Sequence, residues 1–453
     1  MAMGQQSDDG QGDFWIATSA LPKASGHPFY QRLNGVLKAH GFDAFVEAEC
    51  APYYAEKMGR PSIPPVVYFR MLLIGYFEGI DSERGIAWRV ADSMALRQFL
   101  GYRLNDSTPD HSSVSRIRRR LSVETHDKVF SWILTVLAKE GLVKGKTLGV
   151  DATTLEANAA MRSIVRRDTG EGYEAFLTQL AKASGIETPT REELARIDRK
   201  RPKKGSNDDW ESPDDPDAAI TKMKDTRTHL AHKAEHAVDM DTQAVVAVTL
   251  PRADEGDTHS LPWTLMEAEK QLAAVAEDAD AAKHLHEKPL SEIVADKGYH
   301  SNDSLTELKG MRTYISEPNR GHRNWKGKAE AREAVYANRR RIQGDRGKAL
   351  LRRRGEVLER SFAHAYETGG MRRLHLRHRS NILKRLLIHI GGFNLGLVMR
   401  KRFGKGTPRG LRDRLSPLFN RLYGCIHIIL QLGPAERRTE RLDHMATSRV
   451  RAA

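Results

Sequence analysis

The clearest pattern along this chain is a change of period. From Pro28 to Glu140 apolar residues recur at helical spacing, and from Lys146 they fall into short runs of strand character. Residues Pro28 to Ala51 alternate apolar and charged positions as a helix would. Pro64-Pro65 open a helix in which Val66, Phe69, Met71, Leu72, Leu73, Ile74, Tyr76 and Phe77 leave little polar face, so it belongs inside a bundle. Asp81-Ser82-Glu83 caps a second helix that runs to about Leu100 and is ended by Gly101. Thr108-Pro109 starts a third, with Val114, Ile117 and Leu121 on one face and Arg116, Arg118, Arg119 and Arg120 elsewhere. An amphipathic helix from Val123 to Glu140 closes the region. A short basic helix packed on two others is helix-turn-helix-like and fits a DNA major groove; a bundle helix with a solvated charged face shows the same pattern.

Beyond Lys146, three strands follow one another: Lys146 to Glu156, Lys233 to Asp239 and Ala244 to Leu250, the last two joined by the turn Met240-Asp241-Thr242-Gln243. That succession predicts a meander. Between the first two strands lies an excursion at about 159–228. It holds a helical piece from Tyr173 to Ala183, the basic run Arg199 to Lys204, and an acidic run from Asp208 to Asp217 with six acids; this composition predicts a mobile insert. A helix from Leu261 to Glu277, a strand Ile293-Val294-Ala295, a helix from Ser304 to Leu308 and a strand from Arg312 to Ser316 complete an α/β order, which predicts a mixed sheet flanked by helices. From Ala331 the chain is helical and basic.

Charge sharpens this outline. The 453 residues carry a net charge of +14, which points to a polyanionic partner, nucleic acid before membrane. From Arg339 to Arg414 there are 22 basic residues against 5 acidic ones, an excess larger than that of the whole chain. Cys50 and Cys425 build neither a disulfide framework nor a thiolate zinc site, which suits a reducing compartment. Met1 to Gly12 lacks the apolar core of a signal peptide, and the longest apolar run, Leu386 to Val398, is too short and too interrupted to span a bilayer.

Two strands end on a carboxylate: Leu148-Gly149-Val150 on Asp151, and Ile293-Val294-Ala295 on Asp296. Aspartates at neighbouring strand ends can share a metal ion, although an aspartate after a strand also serves as a turn or cap residue. A third carboxylate, Glu359, lies on a segment whose Val357, Leu358 and Phe362 can pack on the sheet; an ion pair one helical turn away is its other reading, and Glu356 and Glu367 are its rivals.

Together the strand order, these acids and the basic regions resemble the DDE transposases of bacterial insertion sequences, more narrowly the types related to insertion sequence five. The stretches that carry the likeness are Asp151 to Asn158, Asp296-Lys297-Gly298-Tyr299 and Glu359-Arg360-Ser361-Phe362-Ala363, with Phe99-Leu100-Gly101, Thr108 to Ser112 and Arg118 to Leu121 in the first half. The resemblance covers roughly residues 30 to 400. It implies an all-α helix-turn-helix-like domain at 28–145 and a ribonuclease H-like mixed sheet at 146–400; outside it, the sequence itself leads to the expectation of a disordered start at 1–27 and a basic tail at 401–453. The resemblance further implies Asp151, Asp296 and Glu359 as catalytic ligands of two Mg²⁺ ions, with Mn²⁺ as a substitute. DNA contacts would come from Asp110, His111, Ser112, Ser113, Arg116, Arg118, Arg119, Arg120, Lys297, Arg353, Arg354, Arg360, Arg372 and Arg373. The implied activity is endonucleolytic cleavage and strand transfer by a homodimer on double-stranded DNA, at terminal inverted repeats and a target site, in the bacterial cytoplasm and nucleoid. The other readings are a DNA-binding relative without catalysis, and a nuclease on the same core. One departure stands out. Many relatives carry a tyrosine seven residues before the glutamate, an arginine four before it and a lysine seven after it; here those places hold Arg352, Gly355 and Tyr366, so the basic role falls to Arg353, Arg354 or Arg372.

Overall fold

The computed structural model describes residues 26–55, 62–103, 105–201, 205–223, 225–319, 321 and 323–409. Most of the expected start at 1–27 and of the tail at 401–453, Cys425, and the Pro202-Lys203-Lys204 part of the basic run lie outside the described residues.

Seven helices come first among these residues: α1 (Pro28–Ala39), α2 (Phe42–Cys50), α3 (Pro65–Glu78), α4 (Glu83–Asp92), α5 (Met94–Phe99), α6 (His111–Arg120) and α7 (Val123–Lys139). Two of the stretches expected as single helices are each broken in two. Gly41 adopts φ 72°, a left-handed conformation that ends α1 and starts α2. Ser93 is extended, and its hydroxyl accepts from the Leu96 amide at 3.3 Å, so it caps a new helix instead of continuing the old one.

The sheet is built from β1 (Thr147–Glu156), β4 (Ala219–Lys222), β5 (Thr228–Asp239), β6 (Val245–Thr249), β7 (Glu292–Ala295) and β8 (Arg312–Ile315), while β2 (Val165–Arg166) and β3 (Trp210–Glu211) form a separate ribbon. Strand order is β4-β5-β1-β7-β8, with β6 also on β5. β5 runs antiparallel to β1, β4 and β6; β7 runs parallel to β1 and to β8. The expected meander is therefore present as β1, β5 and β6, and the sheet is mixed. Helix α10 (Asp257–Ala276) covers one face, while α13 (Ala329–Gln343) and α14 (Asp345–Phe362) cover the other; between α10 and α13 lie the short helices α11 (Ala279–Ala282) and α12 (Asn302–Glu307).

The excursion between β1 and β5 packs on a small core of Ala157, Ile164, Trp210, Ala218 and Leu230. It carries helices α8 (Tyr173–Ala183) and α9 (Arg191–Lys200), and Trp210 meets the rings of Tyr173 and Phe176 edge-on at 5.0 and 5.3 Å. Its acidic run is tied to the rest of the protein. Asp215 and Asp217 accept from the amides of His378 and Arg379, at 3.0 and 2.9 Å, where the last described helix, α15 (Arg379–Phe403), begins.

Helix α15 is buried on nearly every side between α3, α7 and β6. By length and composition it could cross a membrane, unlike the shorter run picked out in the sequence, but 94% of its apolar window is buried inside the fold, as in the core helix of a globular protein. Asn394 within it bonds both the amide and the carbonyl of Val245, at 3.0 and 2.8 Å, so the same helix fills the N-terminal bundle and holds the sheet. One continuous hydrophobic core includes residues from Phe29 to Met399.

On the opposite face α14 crosses β1 at Gly149. A methyl group there would stand 2.6 Å from Met240 Sδ and 3.2 Å from Leu358 Cδ1. Gly149→Val should therefore overpack this contact and cost about 1–3 kcal/mol, lifting α14 from the strand. Urea unfolding measures it, and a variant as stable as the native protein would refute the tight crossing.

Three buried histidines make the fold sensitive to acid. His126, His236 and His389 each have a pKa pushed down to about 3, chiefly by burial. Unfolding restores their ordinary value of about 6.5. The unfolded chain thus takes up protons first, and stability should fall as pH drops from about 6.5 towards 3, with a slope of up to about 4 kcal/mol per pH unit if all three titrate together. Denaturant midpoints measured from neutral to mildly acidic pH check this; a flat profile would contradict it.

Candidate active site at the parallel strand ends

The pairing of β1 with β7 sets the geometry. Val150 lies opposite Ala295 in parallel register, so the next residue on each strand, Asp151 and Asp296, stand level at about the 4.8 Å spacing of neighbouring strands. Both are half-buried. Asp151 Oδ1 accepts from the Ala152 amide at 2.9 Å and Oδ2 from Arg354 Nη1 at 2.8 Å. Burial raises the Asp151 pKa above the usual carboxylate value; Arg354 and the Ala152 amide oppose that rise, and the nearby charge of Asp296 adds to it. Asp296 Oδ1 accepts from the Gly298 amide at 2.8 Å and caps the turn Lys297–Tyr299, so the residue is a cap as well as a strand-end acid.

Arg354, Leu358 and Ser361 lie one above another on α14 and face the sheet. Opposite Asp151 on β5 stands His236, which is fully buried. Ser361 Oγ donates to the Leu358 carbonyl at 2.8 Å, which makes it the acceptor for His236 Nδ1 at 3.2 Å; Tyr366 then donates to His236 Nε2 at 2.6 Å. This chain of bonds fixes α14 to the strand pair that bears Asp151. Tyr366 belongs to a π-helical turn, Ala363–Thr368, that continues α14.

The three rival glutamates separate cleanly. Glu356 pairs with Arg360 at 2.7 Å, one turn on, and Glu367 pairs with Arg372 at 2.6 Å. Glu359 is exposed, and among the described residues its carboxylate takes no hydrogen bond or ion pair. Arg353 and Arg360 reach the β5–β6 hairpin, through the Asp241 carbonyl at 3.3 Å and Gln243 at 3.0 Å, beside the start of β1. Helical phase puts Glu359 on the flank of α14 away from Arg353 and Arg360. Its ligand atoms do not converge with those of Asp151 and Asp296 to within 4.8 Å. Among the described residues the group that does converge so closely is Asp215, Asp217 and His378, whose carboxylates already serve the amides at the start of α15.

The other side of the sheet carries chemistry that the motifs above do not announce. Glu235, fully buried on β5, accepts from Ser260 at 2.9 Å, from Tyr299 at 2.7 Å and from Thr264. Lys233 pairs with Asp257 at 2.6 Å. A methyl group at Gly298 would stand 2.5 Å from Asp257 Oδ2 and 3.0 Å from Asp296 Oδ1, so a further carboxylate borders the site across that glycine. A cleft of about 410 Å³ opens there, lined by Thr153, Thr154, Lys233, Glu255 and Asp257 among others. Its one signal in the sequence is the run Lys233-Ala234-Glu235-His236, three ionisable residues in the middle of a strand.

The expected DNA contacts divide by position. On α6, His111, Arg116, Arg119 and Arg120 are exposed, Ser112 and Ser113 half-buried. Arg116, Arg120 and the start of the helix line a cavity of about 520 Å³ with Ser62 and Ile63. Asp110 is the N-cap; it accepts from the Ser113 amide at 2.8 Å and from Ser112 Oγ at 2.9 Å, so its carboxylate is engaged by its own helix. Arg118 lies four residues after Val114, within the apolar stripe, and is buried in an ion pair with Glu83, apart from the exposed arginines of the same helix. Lys297 and Arg373 are exposed; Arg372 is held by Glu367, by Thr153 Oγ1 at 2.9 Å and by the Thr154 carbonyl at 2.9 Å.

Residues 20–120, which include α1 to α6, match the family model of a transposase domain (DUF772). No curated protein and no solved structure matches the chain. The domain match supports a transposase family for this chain, and with it the expectation of a DNA partner and of DNA cutting and joining.

Proposed function

We propose that the chain is a DDE transposase that binds the terminal inverted repeats of an insertion sequence and cuts and joins DNA at Asp151, Asp296 and Glu359. One observation carries this reading: the parallel register that sets Asp151 level with Asp296, under the helix α14 that packs on both strands and carries Glu359, unpaired among the described residues. The donor set suits a hard divalent cation, because it consists of carboxylate oxygens, of which Asp296 Oδ2 and both oxygens of Glu359 take no other partner among the described residues. Asp151, Asp296 and Glu359 would hold Mg²⁺, with Mn²⁺ as a substitute. The bound ions would supply charge stabilisation for the attacking and leaving oxygens of an in-line displacement at phosphorus.

The chain's own residues do the rest. The bonds of His236, Ser361 and Tyr366 keep α14 at a fixed height over β1, so the third carboxylate keeps its place relative to the first two. Arg372 braces β1 two residues beyond Asp151. Water, then a freed 3′-hydroxyl, would be the successive nucleophiles, so no covalent protein intermediate is required. Exposed arginines on α6 and on the C-terminal half supply phosphate contacts, and the residues at the start of α6 supply contacts to base edges.

Asp151→Asn, Asp296→Asn and Glu359→Gln should each lower Mg²⁺-dependent cleavage of a labelled terminal-repeat duplex by orders of magnitude while repeat binding persists. Glu356→Gln and Glu367→Gln should change cleavage modestly, and near-native cutting by Glu359→Gln would reassign the third ligand.

On α6, Arg116→Ala with Arg119→Ala should weaken repeat binding and reduce the slope of log affinity against log salt by up to about 1.8, close to 0.9 per lost phosphate contact. Arg118→Ala should instead destabilise the fold by about 3 kcal/mol, because it strands the largely buried Glu83 carboxylate. Fluorescence anisotropy in a salt series and thermal unfolding separate the two, and a stable Arg118→Ala protein with an altered salt slope would overturn the assignment of Arg118 to the core.

A further inference from the structure

We propose that Arg354 is the internal counter-cation of this site: it occupies Asp151 in the metal-free protein and leaves that carboxylate when a divalent ion and the DNA phosphate arrive. This role rests on the reading of Asp151 as a metal ligand and goes beyond it, to how the site is kept closed. Arg354 Nη1 stands 2.8 Å from Asp151 Oδ2, and the two side chains are 15% and 26% exposed, so water screens the pair weakly. Metal and guanidinium therefore compete for one oxygen.

The contact is built to be released. It uses a single guanidinium nitrogen, not the two-pronged fork that makes arginine–carboxylate pairs strong. Arg354 Nε is buried and has no hydrogen-bond partner among the described residues, a cost that a phosphate oxygen would remove. Other arginines of this region are anchored elsewhere: Arg372 by Glu367 and β1, Arg360 by Glu356 and Gln243, Arg353 by the Asp241 carbonyl. The stem of Arg354 is supported while its head turns, since Arg354 Cγ would lie 3.6 Å from a methyl group at Gly149 and so packs over the strand. Arg354 also precedes Glu359 by five residues on one helix, so its head and the third carboxylate move with the same rigid element.

Two consequences follow from competition at one carboxylate. Metal binding is weak while Arg354 is seated, and it strengthens when a phosphate draws the guanidinium away. DNA and metal then bind with positive coupling, which by linkage is equal in both directions. The device holds cleavage back until DNA is in place.

The test is Mn²⁺ binding to the full chain, read by electron paramagnetic resonance of the free ion, with and without a terminal-repeat duplex. Arg354→Gln should bind Mn²⁺ roughly tenfold or more tightly than the native protein without DNA. The gain in Mn²⁺ affinity that DNA brings to the native protein should shrink in the variant. Arg354→Lys, which keeps the stem and the charge but makes a point contact, should show a smaller tightening and serves if the glutamine variant does not fold. Mn²⁺ affinity in both variants equal to or weaker than native overturns the proposal for Arg354. Asp151→Asn separates the two readings. If it binds Mn²⁺ as the native protein does, the metal assignment itself fails; if it loses Mn²⁺ while the Arg354 variants match the native protein, the counter-cation alone fails.

Discussion

The backbone ladder between β1 and β7 is the constraint on which the site depends. Neither strand alone says where its terminal aspartate will sit. Paired in parallel, with Leu148 opposite Ile293 and Val150 opposite Ala295, they deliver both carboxylates to the same edge of the sheet. Both faces of the four-residue β7 are buried, so a slip of one residue would force every one of its side chains to repack on the opposite face. The short strand is fixed on both sides, by β1 and by β8, and all four of its residues are buried. The sheet places the backbone of the acid at the end of β7, and the turn that follows holds one of its carboxylate oxygens.

Charge burial around that edge is arranged on two levels. On the α14 face a neutral chain, Tyr366 to His236 to Ser361 to the Leu358 carbonyl, satisfies both ring nitrogens without a charge, which explains why burial leaves His236 neutral well below its ordinary range. On the α10 face Glu235 is held by three hydroxyls, and burial raises its pKa. Between them Asp151 keeps a charge partner in Arg354.

Helix α15 gives the protein its unity. It comes last among the described elements, yet it packs against α3 and α7 of the first half and bonds β6 of the sheet. Each fully buried leucine, isoleucine or valine on it contributes on the order of 1.5–3 kcal/mol, so the N-terminal helices and the sheet share one large apolar interface. Lys384 of the same helix bonds the Arg118 carbonyl at 3.1 Å, so the end of α6 is held from within the core. The helix expected to meet DNA is thereby tied to the same core helix that bonds the sheet.

Read by itself, the sequence determined what local chemistry can encode. Period marked the helices and the strands of the meander, apolar runs ending on aspartate marked Asp151 and Asp296, and the stripe of Val357, Leu358 and Phe362 marked the helix that carries Glu359. These signals are local, since a strand's alternation, a cap or a helical stripe is complete within a few residues. Pairing and burial are not. That Arg118 is a core cation, that Arg354 sits on Asp151, that Glu356 and Glu367 have partners while Glu359 has none among the described residues, and that Lys233, Glu235 and Asp257 gather beside the site all depend on residues brought together from distant parts of the chain. A basic residue at one helical position reads alike whether it meets water, phosphate or a buried carboxylate. Only the packing of one element on another decides which, because the cost of burying a charge is set by its neighbours in space.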